Sequence, residues 1–472
     1  MKKMICALIL LSFCVLNAQN EGVKYDSLWQ GNLKFGQTSL KVVLKIFKTE
    51  EGNLSAHLDS PDQGAVNIPV TEINITDDSL MFSVASIGAS YKGALEKGGG
   101  KITGIFKQAG YSLPLQLEKT DKAAEVKRPQ NPKRPFPYIE EEIVFENKLD
   151  KIKLAGALTL PDRNGKFPAV VLISGSGPQD RDETIFNHKP FLIISDYLTR
   201  NGIAVLRYDD RGVGKSEGDF SSATTEDFMK DALAAVEYLK SRNEIDLDKI
   251  GLIGHSEGGL IAPMAAASSD DVKFLVLLAP PGIPGKDLIP LQTELIMKAQ
   301  GVDSSTIYRT VSHLRTVFEI ITNSSDSLTA YKKLEELYKN EIAGLPEEEK
   351  KKPENGFEAF ERKAKTYLSP WFRFFLKYNP SWALENVKVP VLALWGGKDL
   401  QVPPEENMPP LKSALENAGN KRVKTVVCEQ LNHLFQKSDT GLPLEYGAIE
   451  ETIYTPALEM IKDWIKETAG AK

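Results

Sequence analysis

Downstream of residue 143, five short segments at 169–173, 203–206, 250–253, 274–278 and 389–394 are nearly uninterrupted apolar runs rich in Val, Ile and Leu. A strand with water on one face alternates apolar and polar residues, whereas a strand covered on both faces does not. The runs therefore specify a mostly parallel sheet with helices on both sides, an α/β architecture. Between them, residues 225–239 carry apolar side chains at helical spacing, with Thr225 as the expected cap ahead of Glu226 and Asp227. The strand–helix alternation stops over about 285–378. There Ile307, Val311, Leu314, Phe318 and Ile321 mark an amphipathic helix, residues 331–342 a second, and 347–353 a solvated charged loop. Some ninety mostly helical residues inside a sheet domain read as an inserted cap. Trp371, Phe372, Phe374, Phe375 and Tyr378 are too apolar for full exposure, and core packing is expected of them ahead of roofing a pocket.

The remainder of the 472 residues divides into three parts. Residues 20–120 alternate as short strands do: Leu40, Val42, Leu44 and Ile46, then Leu80, Phe82 and Val84, separated by turn signals. A small antiparallel barrel-like or sandwich domain is expected, with His57 an ordinary strand or surface histidine. Residues 121–142 hold Pro129, Pro132, Pro135 and Pro137 among basic and polar residues and read as a semi-rigid, solvated linker. Residues 1–18 pair Lys2 and Lys3 with an apolar core from Ile5 to Leu16 and a small residue at Ala18, the pattern of a signal peptide. Phe13 before Cys14 argues against a lipoprotein anchor. The expectation is cleavage near Ala18 and a soluble periplasmic or extracellular product. Cys6 and Cys14 would leave with the leader, and Cys428 alone could form no intrachain disulfide. The α/β domain is expected over 143–472.

Charge excludes some partners. Lys plus Arg total 58 against 64 Asp plus Glu, a net charge of −6, so no concentrated basic surface for nucleic acid or an anionic membrane is expected. No further run is long and apolar enough for a transmembrane segment. A small-molecule partner is the expectation instead.

The chemistry starts from a G-x-S-x-G pattern that occurs twice, around Ser216 and around Ser256. The bare pattern is weak, and context separates the two. Ser256 directly follows the apolar run ending at Gly254 and precedes the small-residue stretch 260–267, a strand-to-helix turn that lifts a hydroxyl above a sheet edge. Ser216 directly follows no strand and precedes a loop. Gly214-Lys215-Ser216 also imitates a phosphate-binding loop, but Asp209 stands where that motif needs its first glycine.

A serine needs a base. Of five histidines only His313 and His433 follow Ser256, and His313 lies in the cap. His433 lies in a loop just past the run 423–427, at the carboxyl end of an expected strand, where open parallel sheets place their sites. Asp399 ends the strand-and-turn 391–399 and is the expected acid, with Glu405 and Glu406 as nearby alternatives. The oxyanion donors expected are the backbone N–H groups of Glu257 and of Ser176 or Gly177, in the loop after 170–173. Asp180, Asp182, Glu183 and His188 could imitate a metal site on one loop, but their close spacing is weak evidence. No metal and no cofactor is expected.

Together these residues resemble the α/β-hydrolase superfamily. Within it the chain is similar to secreted esterases related to dipeptidyl aminopeptidases, acylaminoacyl peptidases and serine aminopeptidases. The likeness rests on SGSGPQDRDE (174–183), RYDDRGVGKSEG (207–218), GHSEGG (254–259) and WGGKD (395–399), and covers about 143–466. It implies an α/β-hydrolase sheet with an inserted helical cap, and a serine hydrolase that cleaves carboxylic esters through an acyl-enzyme on Ser256, His433 and Asp399. The alternative it leaves open is an aminopeptidase or acylaminoacyl peptidase on the same three residues, with a cap carboxylate such as Glu294, Glu319 or Glu335 holding the substrate amine. One departure is Ser174, where many relatives carry histidine; the expected donors are backbone groups, so activity should survive. Peptidase relatives often carry a β-propeller, and no propeller repeat is present here, which favours small acyl substrates.

Overall fold

The computed structural model describes residues 25–35, 38–49, 51–61, 65–108, 111–122 and 127–470. The expected leader and its Cys6 and Cys14 lie outside them.

The first sheet contains β1 (Ser27–Phe35), β2 (Thr38–Lys48), β3 (Leu54–Ser60), β4 (Ala65–Pro69), β5 (Glu72–Ile75), β6 (Ser79–Val84), β7 (Ala89–Leu95), β8 (Lys101–Gln108) and β9 (Tyr111–Thr120). Every pairing is antiparallel, in the order β4-β3-β2-β1-β9-β8-β7-β6-β5. β4 and β5 are the two outer strands, yet only Val70 and Thr71 separate them. Three peptide steps span about 10 Å at most, so the sheet must curl until its edges nearly meet, a half-barrel. Its core holds Val42, Leu44, Ile46, Leu80, Phe82 and Val84. His57 is buried there, its Nδ1 3.2 Å from the Tyr25 hydroxyl.

The second sheet comprises β10 (Ile139–Asn147), β11 (Ile152–Leu160), β12 (Phe167–Ile173), β13 (Ala204–Tyr208), β14 (Ile245–His255), β15 (Phe274–Leu278), β16 (Val391–Gly396) and β17 (Val423–Cys428). Their order is β10-β11-β13-β12-β14-β15-β16-β17. The pairs β10–β11 and β11–β13 are antiparallel and all others are parallel. Helices α1 (Pro190–Arg200), α2 (Thr225–Lys240) and α3 (Gly258–Ser268) fall between the strands, and α11 (Pro404–Asn417) and α12 (Thr455–Thr468) follow β16 and β17. The apolar runs have a direct explanation in β12. Val170 and Leu172 pack towards α1 and α12, while Ala169, Val171 and Ile173 pack towards α2 and α3. Both faces are dry, so period-2 alternation is absent.

Between β15 and β16 lie α4 (Gly285–Ala299), α5 (Ser304–Thr322), α6 (Ser327–Ala343), α7 (Glu347–Lys350), α8 (Phe357–Tyr367), α9 (Pro370–Lys377) and the short α10 (Ser381–Leu384). Val317, Phe318, Ile321, Leu334, Phe372 and Leu376 form a separate apolar cluster. Three local expectations change. Residues 347–350 form one helical turn, not a loop; three glutamates at its start favour the positive end of the helix. The cap of α2 is Thr224, whose N–H and hydroxyl both donate to the Asp227 carboxylate at 2.9 Å. Thr225 is left free for another role, described below. The segment 128–138 is docked instead of solvated: Arg128 donates to the carbonyls of Ile449 at 2.9 Å, Phe186 at 2.8 Å and Gly447 at 2.7 Å. β10 also begins at Ile139, inside the stretch read as linker.

Candidate active site

Ser256 sits where β14 turns into α3, with φ of +52°, a left-handed conformation costly for a residue with a Cβ. The turn is tight enough that a Cβ on Gly254 would lie 2.0 Å from the Gly258 carbonyl oxygen, so only glycine fits there. The Ser256 amide donates to the Leu278 carbonyl at 2.8 Å and its carbonyl accepts from Gly259 at 2.8 Å, which holds the strained residue in place.

His433 Nε2 is 3.1 Å from Ser256 Oγ, although the two are 177 residues apart in the chain. His433 Nδ1 is 2.7 Å from Asp399 Oδ2. Asp399 Oδ1 accepts the amides of Gln401 and Val402, both at 2.8 Å, so its carboxylate is fixed through both oxygens. The His433 loop is shaped by buried Asn432. Asn432 Oδ1 accepts the amides of Leu434 and Gln436 at 3.0 Å, and its Nδ2 donates to Gln436 Oε1 at 2.9 Å. Gly396 admits this loop: a Cβ there would stand 2.2 Å from the Leu431 carbonyl oxygen. Ser256, His433 and Asp399 thus converge. Glu405 and Glu406 are exposed on the first turn of α11, and His313 is exposed in the cap, 2.8 Å from Glu341.

The loop after β12 runs beside the serine; a Cβ on Gly175 would lie 3.2 Å from Ser256 Cβ. Among the described residues the amides of Ser176, Gly177 and Glu257 have no acceptor within the protein. The acidic residues of this loop do not gather around a common point. Asp182 pairs with Arg207 and with Lys189. Asp180 Oδ1 accepts the amides of Asp182 and Thr184. Glu183 pairs with His255, and His188 is buried between the Thr452 hydroxyl and the Tyr446 carbonyl. Neighbouring contacts tie the loop down. Arg181 Nη2 is 2.8 Å from Asp209 Oδ2, and Asp210 accepts from the Ser174 hydroxyl at 3.0 Å and the Gln179 amide at 2.9 Å. Ser216 has a structural part: its hydroxyl donates to the Asp209 carbonyl at 2.7 Å and accepts the Ala155 amide at 2.9 Å.

The side chain of Glu257 is a feature that sequence reasoning did not single out. It is 2% exposed, and its Oε1 accepts from Thr225 Oγ1 at 2.7 Å and from Trp371 Nε1 at 2.8 Å. Burial pushes its carboxyl up to about 7, with the two hydrogen bonds pulling the other way. Trp371 also stacks on Phe375 at 5.4 Å. The aromatic run of α9 therefore packs into the core and touches the residue after Ser256 at the same time. No sequence signal joins positions 225, 257 and 371; only the fold brings them together. Of the cap carboxylates, Glu294 and Glu319 are exposed, and Glu335 is 2.7 Å from Lys339.

The mostly parallel sheet and the strand–turn–helix elbow carrying Ser256 have the arrangement of an α/β-hydrolase fold. Comparison with known proteins bears out the resemblance read from the motifs. A family model described as serine aminopeptidase, S33, matches residues 191–342, a span that contains Ser256 and ends before Asp399 and His433. Esterase EstD of Thermotoga maritima is 28% identical over 313 residues, 66% of this chain; the match spans 65% of that esterase, just under two thirds of its length. The thiohydrolase AneE of Aspergillus aculeatus is 32% identical over 136 residues, 28% of this chain and 39% of its own. A solved esterase structure from Pyrococcus furiosus aligns at 16% identity with a TM-score of 0.43, covering 74% of this chain and 99% of the other.

Proposed function

We propose that the protein is a serine hydrolase of carboxylic esters with short acyl chains, working through an acyl-enzyme. The observation that carries this reading is the single line of contacts Asp399–His433–Ser256 at 2.7 and 3.1 Å. In this reading His433 Nε2 takes the proton of Ser256 Oγ as the oxygen attacks the ester carbonyl. Asp399 holds the ring in the tautomer with its proton on Nδ1 and stabilises the imidazolium. The amides of Glu257 and of Ser176 or Gly177 receive the developing oxyanion. The alkoxide leaves with the proton from His433, and water activated by the same histidine releases the acid. On p-nitrophenyl acetate and butyrate, Ser256→Ala should lower kcat about a millionfold. Equal turnover by wild type and variant would overturn the reading.

The match to a serine aminopeptidase model favours a second reading, cleavage of aminoacyl amides. Glu335 is already paired with Lys339 at 2.7 Å, which weighs against it as the carboxylate that would hold the substrate amine. The expected outcome with a panel of aminoacyl p-nitroanilides is no turnover by protein that cleaves the esters.

Export belongs to the same proposal: a soluble protein released by cleavage near Ala18 into the periplasm or medium. N-terminal sequencing of the recovered protein should begin just after Ala18; retention of Met1 would contradict it.

A further inference from the structure

His255 is buried and takes no part in the steps above, yet it touches two of the segments that perform them. Its Nδ1 is 2.8 Å from Glu183 Oε1, and its Nε2 is 3.1 Å from the backbone carbonyl oxygen of His433. A carbonyl oxygen only accepts, so Nε2 carries a proton. Glu183 Oε1 also accepts the Gly175 amide at 2.7 Å; a carboxylate there has no proton to give, so Nδ1 is the donor in that contact. With a proton on each nitrogen the ring is an imidazolium; a neutral ring would set a lone pair against an oxygen.

The contacts span the site. Glu183 and Gly175 belong to the loop after β12, and Gly175 immediately precedes Ser176 and Gly177. His255 ends β14, one residue before Ser256. The His433 carbonyl belongs to the loop after β17, and the two imidazole rings lie with centroids 4.9 Å apart. The charged and titratable groups facing His255 are Glu183 from the first loop, His433 from the last and Asp399 from the turn after β16. Burial by itself works against charge on His255, but the Glu183 carboxylate, its hydrogen bond, the His433 carbonyl and Asp399 outweigh it, and the net shift is upward.

We propose that Glu183 and His255 form a second histidine–carboxylate ion pair that positions the His433 loop against Ser256 and holds the loop of the expected oxyanion donors. The pair does not touch substrate; it acts through His433 and Gly175. The proposal rests on the serine-hydrolase reading, and its test separates the two. In the full-length protein with 15N-labelled histidine, NMR reads the protonation of each ring, and His255→Gln assigns the signals among the five histidines. Both nitrogens of His255 should be protonated at pH 8 in wild type, and the ring should be neutral at that pH in Glu183→Gln. The rate at which a fluorophosphonate labels Ser256 should drop tenfold or more in Glu183→Gln, and its alkaline decline should begin about one pH unit lower. A purely structural part would lower the fraction of labelled protein without moving the pH profile. A neutral His255 at pH 8 in wild type, or superimposable labelling profiles, would overturn the proposal. Wild type that never labels would instead count against the hydrolase reading, and the imidazole signals would still decide the charge of the pair.

Discussion

Glu257 follows the nucleophile candidate and is held by a threonine and a tryptophan, with neither supplying positive charge. Its folded value near 7 lies above its ordinary 4.5, so the folded protein binds the proton more tightly than the unfolded chain. Stability from this group is therefore fully present below about pH 4.5 and is lost as pH rises towards 7. Glu257→Gln keeps an oxygen for Thr225 and Trp371 but removes the charge. At pH 8 it should stabilise the protein by up to about 3 kcal/mol relative to wild type, and at pH 4 by close to nothing. Urea denaturation at the two pH values checks this, and a pH-independent difference would refute it. Trp371→Phe preserves stacking on Phe375 but deletes the donor; thermal denaturation should register a loss of about 1 kcal/mol.

Each helix and strand near the site can be traced to particular residues. β12 is dry on both faces, so Leu172→Ala should cost about 2–5 kcal/mol in denaturant unfolding, with the fold otherwise retained. The ends of β14, β16 and β17 were legible because each apolar run stops at a glycine turn or at a loop bearing a polar side chain. Ser256, Asp399 and His433 were read from those stops, and in the folded chain their side chains meet. What escaped had no local signature. The α2 cap is the exception, because Thr224-x-x-Asp227 has capping-box spacing and Thr225-x-x-Phe228 does not. Glu183 lies among four potential ligands on one loop, and nothing local shows that its partner is 72 residues away. The charged stretch at 347–353 hides a helical turn because its side chains carry no apolar period.

At the scale of the molecule, a curled antiparallel half-barrel precedes a mostly parallel sheet covered by helices on both faces, and the segment between them is fastened to the second unit. Arg128 spends its guanidinium on three carbonyls, and burial lowers it to about 10. Arg128→Ala should lower the thermal stability of the full chain by about 2 kcal/mol without altering ester turnover at low temperature. The proline spacing of 128–138 suggests a tether because none of the carbonyls that dock Arg128 is nearby in sequence: Phe186 is 58 positions further on, and Gly447 and Ile449 more than three hundred. The proposed function turns on covalent chemistry at one oxygen, Ser256 Oγ. Acid-quenching the protein during turnover of p-nitrophenyl butyrate and mapping its peptides by mass spectrometry tests that claim most directly. The butyryl group should be found on Ser256 in wild type and be absent from His433→Ala quenched at the same time; a butyryl group on another residue, or full turnover with Ser256 unmodified and replaceable, would contradict it.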